Sequence, residues 1–229
     1  MERKKIVVLT GAGISAESGI KTFRDADGLW EGHDVMEVAS PDGFEKNPAL
    51  VLDFYNQRRR QLKEVAPNKG HLSLVDLEKH YNVVIITQNV DNLHERAGSS
   101  HIIHLHGELS KSRSTKAPYK VYDCSDDIVL GNLCENGAQL RPHIVWFGEA
   151  VPMIETAVAE CVQADILLII GTSMQVYPAA SLIDFVPKNT KIYFIDPNPA
   201  VPQKSYENLT VIAENASVGV PKVVNELIK

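Results

Sequence analysis

Four short runs of large aliphatic or β-branched residues mark the chain: Ile6–Leu9, Val83–Ile86, Ile166–Ile170 and Ile192–Ile195. None alternates apolar with polar positions, so neither side of such a strand can face water. That is the pattern of strands buried on both faces of a parallel sheet. Around them lie segments with apolar residues at helical spacing: Ala49–Val65, His71–His80, Met153–Val162 and Ala179–Phe185. A last one, Pro221–Ile228, begins with a proline that suits a first helical turn. Strand and helix alternate, which predicts an α/β fold.

Two intervals break the alternation. About seventy residues separate Gly11 from Val83, where a βαβ unit uses about thirty. Gly107–Arg141 is polar, turn-rich and weakly periodic. Both read as insertions. The expected organisation is one domain over residues 1–229, with a sheet-bearing core at about 1–24, 71–107 and 141–229. Insertions at about 25–70, a helical module, and about 108–140 form a small lobe beside it, leaving a cleft between lobe and sheet.

Small and polar residues follow each strand. Thr10-Gly11-Ala12-Gly13-Ile14-Ser15 follows the first, Thr87-Gln88-Asn89-Val90-Asp91 the second, Gly171-Thr172-Ser173 the third and Asp196-Pro197-Asn198 the fourth. In an open parallel sheet, ligands bind in the crevice outside this carboxyl edge, so a polar ligand of nucleotide size is expected. Gly11 and Gly13 permit a tight turn that brings backbone N–H groups and a helix start toward a diphosphate. The second strand and acidic residue of a hydride-transfer dinucleotide fold are missing: about twenty positions on stands Glu31, in the loop-like stretch Asp27–Gly32.

Composition narrows the class. The 229 residues are 44% hydrophobic and 23% charged, as in an ordinary globular protein. The net charge of −6, with no basic run longer than Arg58–Arg60, argues against nucleic-acid or anionic-membrane partners. Aliphatic runs such as Ile166–Ile170 fall far short of the roughly 20 residues of a membrane span. Ile6–Leu9 is too short for a secretory signal core, so a cytoplasmic protein is expected. Cys124, Cys134 and Cys161 form no C-x-x-C pair, and Cys161 reads as a core thiol.

Five blocks in order carry a family resemblance. Gly11-Ala12-Gly13-Ile14-Ser15-Ala16-Glu17-Ser18-Gly19-Ile20, with Thr22-Phe23-Arg24 and Gly28-Leu29-Trp30, resembles the opening signature of the sirtuins. Thr87–His94, His104-Leu105-His106-Gly107, Leu140–Glu149 and Gly171-Thr172-Ser173 resemble their later blocks, so the likeness spans about Lys5 to Pro221. It implies a Rossmann-like sheet with a smaller lobe, and NAD-dependent removal of acyl groups from protein lysine side chains. The acyl oxygen would attack C1′ of the nicotinamide ribose as nicotinamide leaves, and a base would then activate a ribose hydroxyl to attack the resulting imidate. Histidine titrates in the right range for that base. The resemblance gives the role to His106, while His104 and His33, His71, His80, His101 and His143 read as structural.

The same resemblance distributes the cofactor contacts. Asn89 and Asp91 would serve the nicotinamide pocket and Gln88 the ribose, with Ala12, Ser15 and Glu17 around the diphosphate turn. Phe23 and Arg24 would belong to a cofactor loop, with Gly171, Thr172 and Ser173 on the adenosine side. Asp196, Pro197 and Asn198 would form the adenine-ribose loop, although the family more often has Asn at Asp196, and Trp30, Val90 and Ala216 complete the set. Val145-Trp146-Phe147-Gly148-Glu149 resembles the segment that pairs with an acyl-lysine peptide as an added strand; Val145 and Phe147 would line the acyl tunnel beside Gly148.

Tyr55 and Arg58, three apart on a helix, resemble the Tyr-x-x-Arg pair of the sirtuins that remove succinyl and malonyl groups, and Ala26 matches the alanine that enlarges their pocket. The runner-up activity is protein ADP-ribosylation on the same fold, and a non-enzymatic NAD sensor is a third reading. The family's structural zinc is not expected. Ser114 and Ala117 occupy its first pair of positions and only Cys134 remains near the second, so the lobe is expected to fold as a degenerate zinc-ribbon-like module without metal, on Tyr119, Val121, Tyr122, Ile128, Val129 and Leu130.

Overall fold

The computed structural model describes residues 3–21, 29–199 and 208–229. Strand β1 (Lys5–Thr10) leads into the single helical turn α1 (Gly13–Ala16). The first insertion begins with a two-stranded ladder, β2 (Leu29–Trp30) and β3 (His33–Asp34), and continues in α2 (Val35–Val38), α3 (Pro41–Lys46) and α4 (Pro48–Glu64). The boundaries of α3 and α4 follow their caps. The Ser40 hydroxyl accepts from the Gly43 N–H and the Asn47 amide oxygen from the Leu50 N–H, each followed by proline at the first helical position.

Helix α5 (Lys69–Glu78) returns the chain to β4 (Asn82–Thr87), followed by α6 (Leu93–Ala97) and β5 (Ile102–His104). The second insertion holds β6 (Gly107–Ser114), β7 (Val121–Asp123) and β8 (Leu140–Ile144). The chain closes with α7 (Ile154–Cys161), β9 (Ile166–Ile170), a 3-10 segment at Ala179–Phe185, β10 (Lys191–Ile195), β11 (Leu209–Ile212) and α8 (Ala216–Leu227).

Six strands in the order β11-β10-β9-β1-β4-β5 form an all-parallel sheet, while β7-β6-β8 form a separate antiparallel one. Because side chains alternate along a strand, β1 feeds two cores. Val7 and Leu9 pack with Ala157, Cys161 and Leu182 on one face, and Ile6 and Val8 with Leu74, Leu77, Val220 and Val223 on the other. A third core joins the two insertions through Phe54, Tyr55, Leu62, Leu109, Ile144 and Trp146.

The last helix starts five residues before Pro221, at Ala216, not at the proline as the sequence suggested. Its N-terminus is fixed from elsewhere: the Glu17 carboxylate accepts the Ser217 N–H at 2.9 Å and the Ser217 hydroxyl at 2.6 Å. Ala179–Phe185 is a 3-10 segment instead of an α-helix.

The second insertion departs from expectation in what holds it. Tyr119, Val121, Val129 and Leu130 are exposed, and of the six named residues only Ile128 is buried. The anchor is polar: Asn56 on α4 donates to the Ile128 carbonyl and accepts the Ile128 N–H, both at 2.9 Å, while Arg59 donates to the Asn56 amide oxygen and to the Leu109 carbonyl.

At the knuckle where a zinc would sit, the donor set does not fit a closed tetrahedral site. The Ser114 hydroxyl accepts the N–H groups of Lys116 and Ala117 and the Cys134 thiol at 3.4 Å, and the Cys134 N–H reaches the Ala138 carbonyl. Hydrogen bonds thus close the turns that metal would otherwise close. The purified protein should contain no stoichiometric zinc by elemental analysis and melt at the same temperature with and without a strong chelator. One zinc per chain, with a fall in melting temperature on its removal, would refute this.

Candidate active site

The ends of β1, β4, β9 and β10 reach one cavity of about 530 Å³, bounded on the far side by the insertions. Gly11, Ala12, Gly13 and Glu17 line it from the first strand end, and Gln88, Asn89, Val90 and Asp91 from the second. Gly171, Thr172 and Ser173, and Asp196, Pro197 and Asn198, line it from the next two. The insertions contribute Trp30, Tyr55 and Arg58, and the segment after β8 contributes Val145, Phe147 and Gly148. His106 also lines it.

Two named residues do not line the cavity. Ser15 is fully buried behind it and bonded to Asp91, and Ala216, the first residue of α8, is turned into the core, leaving its neighbour Asn215 at the wall. Phe23, Arg24 and Ala26 fall outside the described residues. Both glycine N–H groups of the first strand-end turn are already spent, the Gly11 N–H on the Ile170 carbonyl at 3.0 Å and the Gly13 N–H on the Gly171 carbonyl at 2.8 Å.

His106 has a defined tautomer. Its Nδ1 lies 3.0 Å from the Gln88 carbonyl, which can only accept, so Nδ1 carries the proton and Nε2 is left with a lone pair. Burial holds the ring below its ordinary pKa, against the pull of that carbonyl, so the imidazole is neutral at pH 7 and Nε2 can take a proton. Gln88 is itself tied at both ends: its N–H goes to the Thr10 carbonyl and its side-chain amide to the Thr172 hydroxyl.

Behind the cavity wall a second network sets Asp91. The Ser15 oxygen accepts from the Asn89 amide at 3.2 Å and faces His71 Nε2 at 3.5 Å. His71 Nδ1 accepts the Asn68 N–H, so its Nε2 carries the proton and points it at Ser15. The Ser15 hydroxyl therefore spends its own proton on Asp91, at 2.9 Å. Burial raises the Asp91 pKa, opposed by the Leu93 N–H and Ser15. His94 Nε2 meets the Thr10 hydroxyl, which donates to Thr87, leaving His94 Nδ1 buried without a partner.

The acyl-pocket candidates form a separate group. The Tyr55 phenol is fully buried and accepts the Trp146 indole N–H at 3.0 Å. Arg58 stacks on Phe54, its carbon 3.4 Å from the ring centre, and donates to the Phe54 carbonyl. Trp146, Glu31 and Leu62 line the cavity but were not singled out as binding residues from the sequence. Strand alternation through Val145 and Phe147 points Trp146 away, but β8 ends at Ile144, so alternation no longer applies there. His104 is held by the Glu95 carboxylate at 2.6 Å and the Asn89 carbonyl at 3.3 Å.

Burial drives the His71 pKa down to about 4 and that of His94 well below normal. Between about pH 6.5 and 4 the unfolded chain takes up protons that the folded chain refuses. The contribution of these two histidines should therefore be level above about pH 6.5 and fall below it, by about 2 kcal/mol between pH 7 and pH 5 from His71 alone. Urea unfolding of the parent and a His71→Asn variant at the two pH values checks this; an equal pH dependence in both would contradict it.

Known proteins can be set beside this geometry. The Sir2 family model matches residues 11–178. A protein of Helicobacter pylori named NAD-dependent protein deacylase is 61% identical over 229 residues, covering 99% of this chain and 98% of that protein. A crystal structure of a Sir2 homologue in complex with NAD superposes with a TM-score of 0.87 at 38% identity, over 99% of this chain and 90% of that one. A Sir2 protein bound to acetylated peptide gives a TM-score of 0.82 at 27% identity, over 98% and 94% of the two chains.

Proposed function

The chain belongs to the Sir2 family, and on that premise we propose that it is an NAD-dependent deacylase of protein lysine side chains, with His106 as its base and acidic acyl groups as preferred cargo. The carrying observation is the His106 ring, which lines the cavity shared by the strand ends and the acyl-pocket candidates and is held by the Gln88 carbonyl with Nε2 unprotonated. A protein that merely sensed NAD would need no such base.

NAD supplies an electrophilic ribose carbon and a departing nicotinamide. The residues present suit it: Asn89 and Asp91 offer fixed polar groups for the carboxamide, Gln88 for ribose hydroxyls, and Gly171–Ser173 with Asp196–Asn198 a wall for the adenosine half. The acyl-lysine peptide would lie along Val145–Gly148. The Val145 and Phe147 N–H groups are given to the His106 and Ala39 carbonyls, so an added strand would use the Val145 carbonyl and the Gly148 N–H. We place the enzyme in the cytoplasm, where NAD and acylated proteins meet and where free thiols such as Cys124, Cys134 and Cys161 persist.

Preference for succinyl and malonyl over acetyl rests on unspent donors at the pocket floor. Arg58 Nε is buried without a partner among the described residues, and the Tyr55 oxygen accepts from Trp146 while its own proton remains available. A terminal carboxylate can take both; an acetyl methyl can take neither. Burial lowers the Arg58 pKa, opposed by Glu31, which also lines the cavity and is itself paired with Lys21 at 3.0 Å.

His106→Ala should bind NAD as the parent does yet lose about 10²- to 10⁴-fold in deacylation rate. Parent-like turnover would remove His106 from its role. Arg58→Met should lower kcat/KM for succinyl-lysine peptide about 10- to 150-fold and leave acetyl-lysine peptide nearly unchanged. Equal losses would show that Arg58 supports the fold instead of reading the acyl group.

A further inference from the structure

Trp146 occupies the junction between the acyl pocket and a buried charge cluster that the reaction does not use. The Glu149 carboxylate accepts from Arg141 at 2.7 and 3.2 Å, from Arg113 at 2.8 Å and from the Trp146 backbone N–H at 2.8 Å. Both arginines also donate to the Ile144 carbonyl. Two guanidinium groups thus share one carboxylate at the cavity wall, an excess of one positive charge. The Arg141 guanidinium carbon stands 3.2 Å from the Trp146 ring centre, a stacking that holds the indole by its face, while Phe44 packs at 5.2 Å. Trp146 is 2% exposed and Tyr55 is not exposed at all, so both rings are held by close packing.

With its plane fixed, the indole has one polar atom to place, and Nε1–H is aimed at the Tyr55 oxygen. An indole N–H can only donate, so the phenol must accept there. That bond occupies one direction around the phenol oxygen and leaves the phenol proton for another. Donating to a hydroxyl oxygen also makes its own O–H a stronger donor. The phenol stays protonated throughout, because burial pushes its pKa up beyond the range of any working pH.

We propose that Trp146, held by Arg141, is a specificity-determining positioning residue: its indole N–H orients the Tyr55 hydroxyl so that the phenol proton is given to the carboxylate of an acidic acyl group. The assignment rests on the acidic-acyl reading of the pocket. Trp146 does not touch the reacting atoms. Its contribution is therefore to discrimination between acyl groups and leaves the chemistry at His106 as it is.

The test compares wild type, Trp146→Phe, Tyr55→Phe and the double variant on succinyl-lysine and acetyl-lysine peptides. Phenylalanine keeps a ring for Arg141 and Phe44 to pack on, and far-ultraviolet circular dichroism with the melting temperature establishes that each variant is folded. Each single variant should lower kcat/KM for the succinyl peptide about 3- to 20-fold, chiefly through KM, and lower it for the acetyl peptide by a clearly smaller factor. The double variant should be no worse than about the poorer single one, since both substitutions cut the same chain. Losses that multiply, equal losses for both peptides, or an unchanged succinyl rate would overturn the assignment.

A second readout separates this assignment from the acyl reading beneath it. The indole ¹⁵N–¹H resonance of Trp146 in wild type should lie downfield and move when Tyr55 becomes phenylalanine. If wild type shows no succinyl preference while that resonance still moves, the acyl reading fails and the positioning contact stands. If the resonance is indifferent to Tyr55→Phe, the positioning contact fails whatever the acyl preference.

Discussion

Two glycines from different strand ends meet at the carboxyl edge of the sheet, and the cavity depends on how closely they approach. A Cβ built on Gly13 would stand 2.6 Å from the Gly171 Cα, and one on Gly171 would stand 2.3 Å from the Ile14 nitrogen. Gly171 also has φ of +61°, a conformation that side chains disfavour. Only with both side chains absent can the turn after β1 and the loop after β9 close on one another through the Gly13 N–H to Gly171 carbonyl bond. The adjacent position of β1 and β9 in an all-parallel sheet brings the two loops to the same edge, with β4 and β10 flanking them.

From that edge inward, the site is built of polar groups with little freedom left. His71 and Ser15 have their donors assigned by neighbours that act in one sense, the Asn68 N–H and the Asp91 carboxylate, and the result is a hydroxyl proton directed at Asp91. His106 is fixed in the same way by a backbone carbonyl. Such groups cost free energy to bury unless paired, and here most are paired before any ligand arrives, His94 Nδ1 and Arg58 Nε excepted. The site is therefore preorganised: binding would reorient few of its own dipoles, which favours stabilisation of charge that develops during reaction. The cost appears in the neutral buried histidines, whose refusal of protons ties stability to pH.

Much of this was legible in the sequence. The four apolar runs became the four strands flanking the edge, because complete burial on both faces leaves no other way to read Ile-Val-Val-Leu or Ile-Leu-Leu-Ile-Ile. The residues that follow them line one cavity because parallel strands end together. What escaped depends on contacts distant in sequence. The start of α8 is set by Glu17, two hundred residues away, so the proline inside the helix misled. The second insertion hangs on Asn56, a polar residue in an otherwise ordinary helix, and the apolar side chains of that insertion named from the sequence are mostly exposed. Trp146 gained its place because the strand ends one residue before Val145, where alternation ceases to predict direction.

The central claim is that one neutral histidine nitrogen in a preorganised cavity turns NAD and an acyl-lysine into a new acyl ester. Mass spectrometry of the products formed from NAD and a succinyl-lysine peptide tests it most directly. The account predicts equimolar nicotinamide, free-lysine peptide and O-succinyl-ADP-ribose, with no nicotinamide released when the acyl peptide is omitted. An ADP-ribosylated protein with the acyl group still on its lysine, or NAD left unchanged, would contradict it.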